Sequence, residues 1–146
     1  MVARRGVGWT KGEGGASAVE FALVLLVLVL VLVGISQFGI LFYQWLEMEH
    51  AAREGARWGS IHNAVGHVGD PDSVRGKVAA AAPGLNPPLT DADITVNPAS
   101  DTLFLSREPI TVTVTHASPI LPLMGAFLGT TGPTITLQAT AVQMIE

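Results

Sequence analysis

The sequence predicts an α+β protein: a long N-terminal transmembrane helix continues into a small extracytoplasmic domain with one short helix and a three- to four-stranded antiparallel sheet. Three observations carry this. No residue from Phe21 to Leu46 bears a formal charge; a run of small residues at helical spacing follows it; and two late segments alternate strictly between apolar and polar residues.

The first element is fixed by its solvent. Residues 21–35 form an unbroken apolar run dominated by alternating Leu and Val. A helix rising about 1.5 Å per residue carries the 21–46 stretch across a hydrocarbon core of about 30 Å. Valine is β-branched and a modest helix former in water, but a lone strand in lipid would leave its backbone groups unsatisfied, so helix is expected. Phe38, Phe42, Tyr43 and Trp45 supply rings suited to a membrane interface, which sets the outer boundary near Tyr43 to Trp45.

Arg4, Arg5 and Lys11 against a single Glu13 precede the span, and charges of both signs follow it. By the positive-inside rule the N-terminus is cytoplasmic and the rest lies outside. This divides the chain into a basic leader (1–15), a transmembrane helix (16–46) and an extracytoplasmic domain (47–146). A secretory signal peptide is the simpler alternative, but the apolar run exceeds the usual h-region and no small-x-small site closes it before Gln37.

The leader meets the span at Gly14-Gly15-Ala16-Ser17-Ala18-Val19-Glu20-Phe21. A carboxylate set against an apolar stretch is costly unless it is paired or neutralised. If the chain is cut after Gly15, the new α-amine of Ala16 stands four positions before Glu20, on the same helical face. That amine can equally meet Glu20 of a neighbouring subunit and fix the register of packed helices. Gly14 and Gly15 suit a cut site, because glycines lie extended in a protease cleft and discourage the helix from running back into the leader. Without cleavage, Glu20 simply sits at the cytoplasmic interface beside a flexible tail.

Beyond the span, Ala51, Gly55 and Gly59 recur every fourth residue, as do Ala52, Ala56 and Ser60, giving a stripe where another backbone approaches closely. The stripe is a docking face for the chain's own sheet or for another subunit. The intramolecular contact is favoured, since a long exposed helix with two glycines is marginal alone. Glu49 and Arg53 lie at i,i+4 on the other side with Arg57 one turn on, and the two arginines are candidates to anchor a carbonyl or carboxylate across the contact.

Asp72 or Ser73 is placed to cap a short helix running to Ala82, which Pro83-Gly84 ends, and Asn86-Pro87-Pro88 then imposes an extended loop. Segments 93–97 and 102–105 read as short strands. Residues 110–115 (Ile-Thr-Val-Thr-Val-Thr) and much of 135–144 alternate with period two, as half-buried strands do. One face of the sheet is expected to be covered by helix. The 118–132 connection is apolar, with Leu121, Leu123, Met124, Phe127 and Leu128 forming a patch for a membrane surface or a partner, or else a lid on the sheet.

Composition narrows the function. The net charge of −4 is dispersed and offers no basic field for nucleic acid. The chain has no cysteine, which removes disulfides, thiolate metal sites and thiol nucleophiles. His50, His62, His67 and His116 form no HExxH or helical i,i+4 pair, and the Asp70/Asp72 and Asp91/Asp93 pairs fit turn caps better than calcium loops. No nucleophile elbow, phosphate loop or dinucleotide fingerprint occurs. No cofactor, small-molecule substrate or catalytic role is expected.

Gly15, the residues 16–19, Glu20-Phe21 and the apolar run resemble the type IV prepilin processing signal, and more closely that of TadE-like minor pilins, or pseudopilins, of the tight-adherence (Flp) pilus. Ala51-Ala52-Arg53-Glu54-Gly55-Ala56-Arg57 resembles an element of that family, as do the closing strands 109–116 and 134–146. The resemblance implies cleavage by a membrane prepilin peptidase between Gly15 and Ala16, Glu20 and Phe21 acting in subunit registration, and partners among other Tad pilins and the inner-membrane assembly platform. It implies a single-pass protein of the bacterial inner membrane that acts in pilus assembly and adherence. The competing expectation is an uncleaved, single-pass binding module of the cell envelope.

Overall fold

The computed structural model describes residues 13–62, 64–98, 109–121, 129 and 134–144. Helix α1 spans Glu13–Gly59, α2 Val74–Ala81, β1 Ile94–Asn97, β2 Ile110–Pro119 and β3 Thr134–Gln143, with a 3₁₀ turn at Asp91–Asp93 ahead of β1. By internal contacts the chain forms two units, Met1–Ser36 and Gln37–Glu146. The expected strand at 102–105 lies outside the described residues.

In the first unit, no other described element packs against α1. Residues 15–32 are exposed on every side, including Phe21, Leu23, Leu26 and Leu32 at 63–66%. Among the described residues this is the one helix long and apolar enough to cross a membrane. The described helix runs from Glu13 and includes Gly14 and Gly15, which were expected to discourage it from running back into the leader. Two glycines cost about 1 kcal/mol each relative to alanine, but extending a helix already nucleated over dozens of residues fixes few further angles, so propagation carries through them.

In the second unit, the buried positions of α1 are Gln44, Met48, Ala51, Ala52, Gly55, Ala56 and Gly59, and Ser60 just past its end is buried too. Their spacing of three and four residues is that of one helical stripe. It faces a three-stranded antiparallel sheet of order β1-β2-β3. Ile110, Val112 and Val114 of β2 are 0% exposed, and the register that sets Val112 against Ala141 and Val114 against Ala139 puts the apolar residues of β3 on the same face. Val74 and Val78 of α2 complete the core. The intramolecular packing expected of the small-residue stripe is therefore what the fold uses.

Glycine is required at this seam. A Cβ on Gly55 would overlap Val78 Cγ2 and reach 3.6 Å from Val112 Cγ1, and one on Gly59 would overlap Ile110 Cδ1. The missing side chains let α2 and β2 approach α1 closely.

Polar groups hold the periphery. Ser73, fully buried, caps α2 by accepting from Gly76 N at 3.0 Å, as its sequence position predicts. The Arg75 guanidinium donates to Gly66 O at 3.1 Å and Ile94 O at 3.3 Å, tying the loop before α2 to β1. Glu47 Oε1 accepts from Gly84 N at 2.8 Å and fastens the turn after α2 to α1. Asp91 accepts from Val68 N at 2.7 Å and lies 3.1 Å from His67 Nδ1.

β2 runs further than its alternation of Thr and Val suggested, because Thr134 to Thr136 of β3 pair with Ala117, Ser118 and Pro119. The inward residues change character there: His116 (2% exposed) and Ser118 (0%) continue the row of Ile110, Val112 and Val114. Ser118 Oγ bonds the side-chain oxygen of buried Gln44 on α1, while His116 Nε2 is buried without a hydrogen-bond partner among the described residues.

Candidate functional site

The junction singled out in the sequence lies in the first unit, on the opening turns of α1. Gly15 and Ala16 are both helical, and a Cβ built on Gly15 meets nothing within 4 Å. Glu20 follows Ala16 by one turn, a rise of about 6 Å, which sets the two on one side of the helix. Glu20 is exposed, with Val19 and Phe21 beside it at 63% and 66% exposure. Among the described residues no cation forms an ion pair with it. A carboxylate in this setting gains from any cation brought to the start of the apolar helix, whether at Ala16 of its own chain or on a neighbour.

The second group from the sequence, Arg53, Gly55 and Arg57, is divided by the fold. Gly55 lies in the packed seam. Arg53 and Arg57 stand on the solvent side and bond within their own helix: Arg53 Nη2 to Glu49 Oε2 at 2.6 Å, and Arg57 to both oxygens of Glu54 at 2.7 and 3.1 Å. The Arg57 hydrogen bond holds the Glu54 carboxyl below its ordinary range. Among the described residues neither arginine hydrogen-bonds across the seam: both lie at its rim beside Ala56, with their guanidiniums on glutamates of their own helix.

Of the apolar connection, Leu121 is described and 50% exposed; Leu123, Met124, Phe127 and Leu128 lie outside the described residues. Among the described residues no group of three His, Cys, Asp or Glu side chains is placed to hold a metal ion. Phe38, Phe42 and Trp45 form an exposed stack on α1, with successive centroids 6.1 and 6.0 Å apart, which suits the interfacial role expected of them.

Sequence reasoning passed over Gln44, Glu47, His116 and Ser118, all of which join α1 to the rest of the second unit or line that contact. One signal was present: positions 116 and 118 keep the period-two parity of 110, 112 and 114, so a buried polar pair on that face was legible from spacing alone.

No curated protein and no solved structure matches the chain at a significant level. A family model does, across the apolar part of α1, the junction residues from Gly15 onward, and both arginines of the seam helix. That family, TadE-like protein, matches residues 15–57 and is the one the sequence resembles.

Proposed function

We propose that the chain is a Tad-pilus-associated, pilin-like membrane protein that a prepilin peptidase cuts between Gly15 and Ala16, after which Glu20 sets the register of its helix against those of other pilus subunits. The observation that carries this reading is the uncovered apolar surface of α1 beginning one turn after Ala16, with a single carboxylate at its edge. The TadE-like match begins at Gly15, the residue at which the cut is proposed. In this reading the N-terminus is cytoplasmic, the second unit lies outside the inner membrane, and the chain is the peptidase's substrate with no chemistry of its own. Phe21 opens the apolar face that neighbouring helices or lipid cover.

The test is the N-terminal residue of the membrane-extracted protein, read by intact mass and terminal peptide sequencing in cells with and without the prepilin peptidase. Ala16 appearing only with the peptidase supports the reading; a persistent leader removes it. A Glu20→Ala chain is expected to be cut normally yet fail to co-purify with other Tad subunits, and undiminished co-assembly would exclude the registration role. One observation favours the alternative of an uncleaved anchored binding module: α1 continues unbroken through Gly14 and Gly15, so the peptidase must unwind a turn of helix to reach the bond.

A further inference from the structure

We propose that the open edge of β3, together with Arg53 and Arg57 of α1, receives an extended segment of a partner protein as a fourth strand, with carboxylates on alternate residues of that segment meeting the two guanidiniums.

The two edges of the sheet are not equivalent. β1 is four residues long, its Ile94 carbonyl is taken by Arg75, and Pro98 follows it directly. Short length, a covering arginine and a nearby proline are the devices that keep an edge from pairing. β3 is longer and less guarded: its ten residues, Thr134–Gln143, include no charge and no proline, and Pro133 stands before its first residue, at the end away from Thr140 to Gln143. Among the described residues no strand pairs with its outer side. An unprotected edge of that length is a template for strand addition.

A groove of about 460 Å³ runs along this edge, lined by Thr140, Ala141, Val142 and Gln143 of β3 and by Arg53, Ala56 and Arg57 of α1. Because four consecutive strand residues line it, the groove follows the strand's edge rather than one of its faces. Its strand wall is uncharged and its helix wall carries the two arginines. In each ion pair the arginine is the outward member, 70% and 64% exposed against 23% and 32% for Glu49 and Glu54. Arg53 uses Nη2 and Arg57 uses Nε and Nη2 on these glutamates, which leaves guanidinium donors on both for a second carboxylate.

The spacing selects the occupant. Arg53 and Arg57 are one helical turn apart, about 6 Å along the axis. Residues i and i+2 of a strand are about 6.7 Å apart on one face. A strand with acidic residues at alternate positions therefore carries two carboxylates about as far apart as the two arginines are. A second copy of this chain does not supply such a strand. Its acid-x-acid pairs are Glu47/Glu49, Asp70/Asp72 and Asp91/Asp93; the first is on α1, the second in a turn and the third in the 3₁₀ turn. The groove is the same whether or not the N-terminus is cut, so this inference stands apart from processing at Gly15.

The test uses the full chain in detergent micelles and a fluorescent seven-residue peptide, Thr-Val-Glu-Val-Glu-Val-Thr, titrated by anisotropy. Saturable binding is expected, weakened about tenfold when the Arg53→Gln and Arg57→Gln changes are combined and by a similar factor when both glutamates of the peptide are glutamine, as two exposed ion pairs would give. Hydrogen exchange should slow at the alternate backbone amides within Thr140 to Gln143 that point away from β2 when the peptide binds. Since both arginines are solvent-facing, unchanged thermal unfolding of the double variant separates lost binding from lost fold. No binding at millimolar peptide, binding that ignores the arginines, or binding without slowed exchange along β3 would overturn the proposal. So would loss of self-association in the double variant without peptide, which would make a second copy the occupant.

Discussion

Replacing Gly55 by alanine sets two opposing effects against each other, and their sizes decide the sign. Alanine is the better helix former, so intrinsic propensity alone predicts a gain of about 1 kcal/mol. The added methyl, however, falls on Val78 Cγ2, in a side chain that is 0% exposed and set on a helix, where a β-branched residue has essentially one rotamer. Val78 cannot swing aside, so α1 and α2 must part. Overpacking of this kind costs about 1–3 kcal/mol, and the upper end applies where the neighbour is rigid. The net expectation is a loss of about 2 kcal/mol, which lowers the melting temperature by about 8 °C for a domain of this size.

Gly59→Ala is expected to cost less, because the atom it meets first is Ile110 Cδ1, the mobile end of a longer side chain. The assay is thermal unfolding of the full chain in detergent, followed by tryptophan fluorescence and by circular dichroism. A Val78→Ala change removes the obstacle, so the Gly55→Ala and Val78→Ala double variant should lose less than the sum of the two single losses by about 1–2 kcal/mol. A Gly55→Ala chain that melts higher than the parent would refute the close-approach argument and leave propensity as the governing term.

Two further outcomes follow from the polar contacts. Ser118→Ala should destabilise the second unit by about 1–3 kcal/mol by leaving the Gln44 amide buried without its partner, and Gln44→Leu combined with Ser118→Ala should recover part of that loss; denaturant unfolding reads both. Asp91 is held below the ordinary carboxylate range, first by the Val68 N–H and then by His67. Its stabilising contribution is therefore fully present above the unfolded carboxylate pKa and is lost as pH falls through the lower folded value. Asp91→Asn should flatten that part of the stability profile on the acid side, and an unchanged profile would show that the contact carries no pH dependence.

What was legible in the sequence was whatever periodicity encodes. The charge-free run yielded the long helix, the fourfold repeat of Ala and Gly its packed stripe, and the alternation of 110–115 and 135–144 the two long strands. Ser73 was legible as a cap because capping is local. What escaped reading was polar and distant in sequence. Gln44 and Ser118 meet across 74 residues, and Glu47 reaches Gly84 across 37, so nothing in either neighbourhood announces the other. The run through Gly14 and Gly15 was misjudged for a different reason: a local propensity was applied to a helix whose length outweighs it. At the candidate site, the arginines were read as reaching across the seam, but which way an i,i+4 pair points depends on where the stripe lies around the helix.

That α1 supplies both the apolar run and one wall of the domain core limits how freely this architecture can be recombined. The residues that fill the core begin at Gln44, on a helix that starts at Glu13. A chimera joined before Gln44 can exchange the anchor and keep every core contact. One joined after Met48 replaces core residues along with the anchor and inherits a sheet with part of its cover missing.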